Sequence, residues 1–202
     1  MIELSFENKL ENVENTNGLN ICYYPNFLGK KKSDLLYKRL HDEIPWQKYQ
    51  IKLFGKIYDQ PRLTSFHSIG NKNYDYSQIG IKNNLMTNDL RGLLKMIHKK
   101  TDYRFNSVLL NLYRDGMDSN GWHSDNEPEL GDNPKIASIT LGEKRFFHIK
   151  HKYKKNLSYK ILLKHGSLLI MGDKSQTDWV HQVPKTKKKI NPRINLTYRY
   201  IY

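Results

Sequence analysis

The chain has 202 residues and a formal net charge of +14, with a pI of about 9.6, 38% hydrophobic residues and a mean hydropathy of −0.77. That length can bury a sizeable core in one domain, and no run of the sequence approaches a membrane span or a signal-peptide core. A single cysteine, Cys22, excludes an internal disulfide and suits a reducing intracellular compartment, nucleus or cytoplasm, while the excess of Lys and Arg points to a polyanionic partner, with nucleic acid the first candidate.

In chain order, residues 1–20 are rich in Asn and Glu without sustained periodicity and read as a flexible tail or an irregular edge. Ser33 and Asp34 open a predicted helix that runs to about Asp42, with Leu35, Leu36, Arg39 and Leu40 along one side and Pro45 beyond its end. A second helix starts near Thr87, turns Leu90, Leu93, Leu94 and Ile97 inward, and ends in Lys99 and Lys100, which complement the dipole. Six predicted strands follow, over 107–113, 136–141, 145–150, 159–163, 167–171 and 193–201. Two helices followed by many short strands predict an α+β domain on a jelly-roll barrel. The domain is expected over 21–202, with helices and a substrate-recognition lid in 21–106 and a catalytic core in 107–202. Basic bursts at Lys30–Lys32, Lys150–Lys155 and Lys187–Lys189 fall in what read as turns or loops, where they serve either solubility or phosphate contacts.

The chemistry concentrates near the end. As a strand, Pro192–Arg199 places Arg193, Asn195, Thr197 and Arg199 on one face and Ile194, Leu196 and Tyr198 on the other. Two guanidiniums with an amide and a hydroxyl between them suit a small dicarboxylate gripped at both ends. Upstream, His123 and Asp125 lie two residues apart, and His181 follows at a distance. Two imidazoles and a carboxylate make a facial triad for Fe(II) that leaves positions open. His-x-Asp alone is weak, and either histidine could be an ordinary hydrogen-bonded residue. The order His-x-Asp, then His, then a two-arginine strand is what raises the signal.

With Asn111-Leu-Tyr113 upstream, this order resembles the AlkB-type Fe(II)/2-oxoglutarate dioxygenases that demethylate nucleic-acid bases, in particular the eukaryotic DNA-repair branch. The similarity runs from about Tyr24 to Tyr202 and includes Leu53-Phe-Gly-Lys56, Pro61-Arg-Leu-Thr64, Tyr74-Asp-Tyr-Ser77, Trp122-His-Ser-Asp125 and His165-Gly-Ser-Leu168. The resemblance implies a double-stranded β-helix with buttressing helices and an N-terminal nucleotide-recognition lid. It implies Fe(II) on His123, Asp125 and His181, and 2-oxoglutarate as cosubstrate. The distal carboxylate is then paired with Arg193, helped by Tyr113 and Thr197, and the metal-proximal end is held by Arg199 and Asn111; Asn195 completes the set. The implied reaction is oxidative demethylation of 1-methyladenine and 3-methylcytosine type lesions in DNA or RNA, with release of formaldehyde, by a monomer without membrane attachment.

The substrate side follows the same resemblance. Tyr74 and Tyr76 match a base-contacting aromatic lid, with Tyr76 stacking opposite His123. Phe54, in its setting with Gly55 and Lys56, matches a finger that fills the gap left by a flipped base. Lys187 and Lys188 match a basic loop, and Asn126 and Glu127 border the iron carboxylate. There the chain departs from the pattern, because the repair branch usually carries a second aspartate where Asn126 stands. An amide keeps the hydrogen-bond acceptor and loses the charge, which bears on cationic bases. Two other readings share these residues: a 2-oxoglutarate oxygenase acting on protein or lipid, and a catalytically weak nucleic-acid-binding module.

Overall fold

The computed structural model describes residues 1–4, 11–14, 17–53, 55–70 and 82–202, giving only the backbone of 11–14, 51–53, 56 and 173. Strands β1 (Ile2–Leu4), β2 (Glu11–Glu14) and β3 (Asn20–Tyr24) precede helix α1 (Lys30–Glu43). Then come β4 (Gln50–Leu53), β5 (Lys56–Asp59), β6 (Leu63–Ser68), β7 (Asn83–Leu85) and helix α2 (Asn88–Thr101). The remainder is β8 (Ser107–Tyr113), β9 (Asn120–His123), β10 (Ile136–Gly142), β11 (Arg145–His151), β12 (Ser158–Leu163), β13 (Ser167–Gly172), β14 (Trp179–Val183) and β15 (Arg193–Arg199).

Two facing sheets organise these strands. The larger has the order β2-β3-β13-β10-β15-β8-β6-β7, the smaller β1-β12-β11-β14-β9, and β4 and β5 form a separate hairpin. This is the jelly-roll arrangement, with most neighbours antiparallel. One core fills the space between the sheets, around Phe147, Ile149, Trp179, Tyr113 and Leu169. A second lies between the larger sheet and the helices, where Leu36 and Leu40 of α1 and Leu90, Leu93 and Ile97 of α2 meet Leu110, Ile139, Leu196 and Tyr198. The central strands β8, β10, β13 and β15 are apolar on their helix side, and β8, β10 and β15 carry polar groups on the face toward the barrel interior. Among the described residues no helix is long and apolar enough to cross a membrane.

Four expectations change. The first twenty residues contain two strands: β1 adds to the smaller sheet in parallel with β12, and β2 pairs with β3. Edge pairing draws on backbone groups, so it leaves little side-chain periodicity to read. Helix α1 begins at Lys30 after Gly29, and Ser33, instead of opening it, is buried within its first turn and donates to the carbonyls of Leu28 and Gly29. Lys30–Lys32 thus lie in a helix, with Lys30 paired to Asp34 at 2.7 Å, while Leu35 is exposed and Arg39 bonds Asp89 at 3.1 Å. Helix α2 starts as its sequence indicates, with the Thr87 hydroxyl accepting from the Leu90 amide. The proposed lid segment around Tyr74 and Tyr76, and Phe54 of the finger, lie outside the described residues.

Candidate active site

Pairing of β9 with β14 sets His123 directly across from His181, with ring centroids 4.3 Å apart in an edge-on arrangement. Asp125 follows β9 and turns its carboxylate back between them: Oδ1 is 4.0 Å from His123 Nε2 and Oδ2 is 3.9 Å from His181 Nε2. One ligand atom from each residue lies within 4.8 Å of the others. His123 Nδ1 lies 2.7 Å from the Gly121 carbonyl, an oxygen that can only accept, so Nδ1 carries the proton and Nε2 presents a lone pair inward. The Asn120 amide donates to that lone pair at 3.1 Å. Tautomer and direction are those of a metal ligand held by its other nitrogen.

Asp125 is buried, and burial alone would raise its pKa. The Arg199 guanidinium, 2.7 Å from Oδ1, and the two imidazoles outweigh that and hold the carboxyl at about 2. His181 is pushed down to about 3 by burial, with His123 and Arg199 adding to the effect and Asp125 opposing it. His123 is lowered for the same leading reason, desolvation. At neutral pH the cluster is one carboxylate and two neutral imidazoles, the protonation state a divalent cation requires.

Strand β15 supplies the adjoining wall. It lies between β8 and β10, with Arg193 opposite Tyr113, Asn195 opposite Asn111 and Thr140, and Thr197 opposite Ser138. Arg193, Asn195, Thr197 and Arg199 face the barrel interior as the alternation requires, and Ile194, Leu196 and Tyr198 face the helices. Arg193 is 1% exposed; its Nη2 donates to Thr140 Oγ1 at 2.9 Å, and its guanidinium lies 5.1 Å from the centroid of the Tyr113 ring. Its Nε and Nη1 have no hydrogen-bond acceptor among the described residues. Burial, with Arg145 nearby, lowers its pKa to about 10, against opposing contributions from Tyr113 and Tyr23, so it stays cationic at neutral pH. A buried guanidinium with Nε, Nη1 and the second Nη2 hydrogen uncommitted to well-aligned acceptors can still offer a fork to a carboxylate through Nη2 and either neighbour. Asn111, Tyr113, Asn195, Thr197 and Arg199 line one narrow cavity with the three metal-type ligands.

Several residues of this site are given no role in the sequence reading. Gln176, fully buried, accepts the Asp125 amide at 2.9 Å and so fixes the backbone that aims the carboxylate. Arg62 donates to Asn111 Oδ1 at 2.7 Å and to the Ser119 carbonyl at 3.2 Å, which leaves the Asn111 amide nitrogen to point elsewhere. Ser138 accepts from Asn195 at 2.8 Å, and Thr140 meets Arg193. Arg62 stands in the Pro61-Arg-Leu-Thr stretch and was visible there; Thr140 and Ser138 follow from strand alternation once their pairing with β15 is known.

The remaining substrate-side residues sit apart from the metal-type cluster. Asn126 is exposed and accepts from the Ser124 hydroxyl at 3.3 Å; Glu127 precedes a short helical turn over 128–130. Gly55, exposed with φ +78°, forms the turn of the β4–β5 hairpin, and of Lys56 only the backbone is described. Lys187 and Lys188 are exposed on the connection between β14 and β15. That connection is anchored: Arg145 Nη2 donates to the Pro184 carbonyl at 2.6 Å, the Thr186 amide donates to the Gly116 carbonyl at 2.8 Å, and any side chain at Gly116 would strike the Thr186 and Lys188 carbonyls.

Comparison with known proteins accords with this geometry. The model of the family described as the 2OG-Fe(II) oxygenase superfamily matches residues 20–199. Human "Alpha-ketoglutarate-dependent dioxygenase alkB homolog 3" is 40% identical over 191 residues, covering 90% of this chain and 66% of that protein, slightly under two thirds of its length. Human "DNA oxidative demethylase ALKBH2" is 32% identical over 190 residues, covering 89% of this chain and 73% of that protein. Its Arabidopsis thaliana namesake is 35% identical over 212 residues, covering 91% and 67%. Among solved structures, OsALKBH1 superposes with a TM-score of 0.62 at 15% identity, covering 95% of this chain and all of the other, a likeness of fold.

Proposed function

This chain belongs to the 2OG-Fe(II) oxygenase superfamily, and from that premise we propose that it oxidatively demethylates N-alkylated bases of the 1-methyladenine and 3-methylcytosine type in nucleic acid, as a repair activity. The observation that carries the reading is a neutral-His, ionised-Asp, neutral-His cluster sharing one cavity with Asn111, Tyr113, Asn195, Thr197 and Arg199, with the buried Arg193 on the same face of β15 and against the Tyr113 ring of that cavity. The residues fit the groups of the family. His123, Asp125 and His181 would hold Fe(II), and Arg193 would take the far carboxylate of 2-oxoglutarate, with Tyr113 and Thr197 beside it. Arg199, Asn111 and Asn195 would line its near end. When bound, the metal and cosubstrate supply the activation of oxygen.

The protein's own residues do the rest by placement. Arg199 keeps Asp125 ionised and, being buried, does so without competing water. Gln176 and the Gly121 carbonyl fix the directions of two ligands, so the open side of the cluster faces the cavity. Apolar walls at Leu109, Phe147, Met171 and Val183 limit water around the reacting atoms. A base must leave its stack to reach this depth, at lower cost when damage has weakened its pairing. We assign the reception of that base to Tyr74 and Tyr76, with Asn126 and Glu127 at the rim, Phe54, Gly55 and Lys56 as the finger hairpin, and Lys187 and Lys188 as phosphate contacts. The lid and the finger belong to one domain with the barrel, working as a monomer in a reducing compartment.

Formaldehyde release from methylated and unmethylated oligonucleotides, single-stranded and duplex, tests this. Release confined to methylated strands, dependent on Fe(II) and 2-oxoglutarate and lost in Asp125→Ala, is the expected result. Succinate production by Asp125→Ala at the native rate under limiting iron would remove the triad from the mechanism. Native turnover on a methylated peptide with none on oligonucleotides would move the substrate to protein.

A further inference from the structure

The outer face of the smaller sheet carries side chains that neither the core nor the proposed chemistry uses. Along β11, Arg145, Phe147, Ile149 and His151 are buried, whereas Phe146 and His148 are partly exposed and Lys150 is exposed. The pairing places Leu162 and Lys160 of β12 beside Phe146 and His148, and Val180 and Gln182 of β14 beside Lys150 and His148. At the edge, Trp122 of β9, the residue before His123, turns outward and is 38% exposed. Both described helices are packed on the other sheet, so this face receives no helix among the described residues.

Aromatic rings and ammonium groups alternate across it. Lys150 Nζ lies 4.3 Å from the Trp122 ring centroid and Lys160 Nζ 4.7 Å from that of Phe146, which is itself 6.4 Å from the His148 ring. Where the face ends, Phe146 and Leu162 join Pro184 and Ile190 around a cavity of about 360 Å³ bordered by Lys144, Lys185 and Lys188. Lys160 shares its charge with Glu3 at 2.8 Å and Glu143 borders the cavity, while among the described residues Lys144, Lys150, Lys185 and Lys188 make no ion pair. A solvated cation–π pair is ordinary on any surface. Three rings in sequence, with cations between them, an apolar cavity at one end and a ligand histidine next to the other, call for a ligand that is flat, stackable and anionic at intervals.

We propose that the outer face of the smaller sheet is a stacking platform for single-stranded nucleic acid, holding unmodified nucleotides that flank the base presented to the metal site. The inference rests on the nucleic-acid reading of that site. Bases stack on Trp122, His148 and Phe146 through their π faces, and their phosphates lie toward Lys144, Lys150 and Lys185, continuing from the phosphate contact already given to Lys188; such contacts are tolerant of sequence. Crossing from Trp122 on β9 to His148 on β11 takes two inter-strand spacings, about 10 Å, and Phe146 lies a further 6.4 Å along β11. That accommodates about two or three bases, as on the sheets of RNA-binding modules. A duplex cannot use the platform, because its bases are already stacked.

Anisotropy of labelled, unmodified oligonucleotides on the full chain tests this. The double variant Phe146→Ala/Lys150→Ala should bind a single strand of about 15 nucleotides roughly tenfold or more weakly, and one of about 4 nucleotides with little change. Phe146→Tyr, which keeps a ring, should restore most of the affinity when Lys150 is intact. Formaldehyde release from a methylated oligonucleotide of about 4 nucleotides should stay native in the double variant. Equal weakening on duplex and single strand, or unchanged binding of the long strand, would overturn the platform. A wild type inactive on every methylated strand would overturn the demethylase reading alone, since the binding arm uses unmodified strands.

Discussion

Arg193 offers the sharpest test of how the site holds its cosubstrate. Its Nη2 gives one hydrogen to Thr140, and its second Nη2 hydrogen with Nε or Nη1 forms the fork left for a carboxylate. Arg193→Lys keeps the positive charge and loses the planar fork, so at least one of two charge-assisted hydrogen bonds disappears. Such a bond contributes about 1.5–3 kcal/mol. The concentration of 2-oxoglutarate for half-saturation should therefore rise roughly 10- to 100-fold. Two readouts apply: succinate release as 2-oxoglutarate is titrated, and the shift in Tm that 2-oxoglutarate gives the iron-loaded protein. The second does not depend on turnover. Without cosubstrate the same change should be nearly neutral for stability, because burial already disfavours the Arg193 charge, to the extent of a pKa near 10. An unchanged titration together with a large loss of stability would make Arg193 a structural residue and refute its role.

Arg199→Met should behave oppositely: it leaves Asp125 charged and buried without its 2.7 Å partner, so metal-free protein should lose about 3–5 kcal/mol in denaturant melts, part of it regained with Fe(II). Gln176→Leu removes the acceptor of the Asp125 amide, which should lower iron affinity about 10- to 100-fold in chelator competition while Arg193-dependent binding of 2-oxoglutarate to iron-saturated protein persists. His67 tests pH dependence. It is buried between Ser65 and the Leu85 carbonyl, and burial lowers its pKa. The unfolded chain therefore takes up a proton at about pH 6.5 where the fold does not, and the stability this gives is full above that pH and is lost below it. His67→Gln should fall less in Tm than the native protein between about pH 7 and pH 5; an identical fall in both would assign the acid sensitivity to other groups, the His181 ring first.

What could be read from the sequence follows the range of the forces involved. Strand β15 was legible because alternation is local and its two faces differ sharply, and α2 because Thr87, the apolar spacing and the terminal lysines agree. The start of α1 was not, since Lys30–Lys32 oppose the helix dipole and the segment is helical through packing of Leu36 and Leu40. Strands β9 and β14, which carry the two histidines, are short and mixed in character; their identity as strands comes from cross-strand pairing at His123 and His181. Order along the chain indicated that the triad assembles, and only register shows how. Gln176 illustrates the limit: a glutamine 51 residues from Asp125 acquires its role from a contact no local pattern announces.

The same electrostatics explain why the metal and the cosubstrate belong together in this cavity. At neutral pH the buried charges at and beside it include one negative, Asp125, and the positive Arg199, Arg193 and Arg62. A divalent cation alone would add two positive charges to a region already positive, and a dicarboxylate alone would bring two negative charges of which one end lacks a partner. Both together leave the net charge of the cavity as it was, while each new charge gains an opposite neighbour at short range, where low dielectric makes the attraction strong. The positive charge that remains favours a polyanion at the mouth and disfavours a cationic base. An aspartate at the rim would offset the second effect. With Asn126 there, exposed and hydrogen-bonded to Ser124, the chain supplies an acceptor without a charge, so under the proposed function attraction for a methylated base would come from stacking and from the phosphates on either side of it.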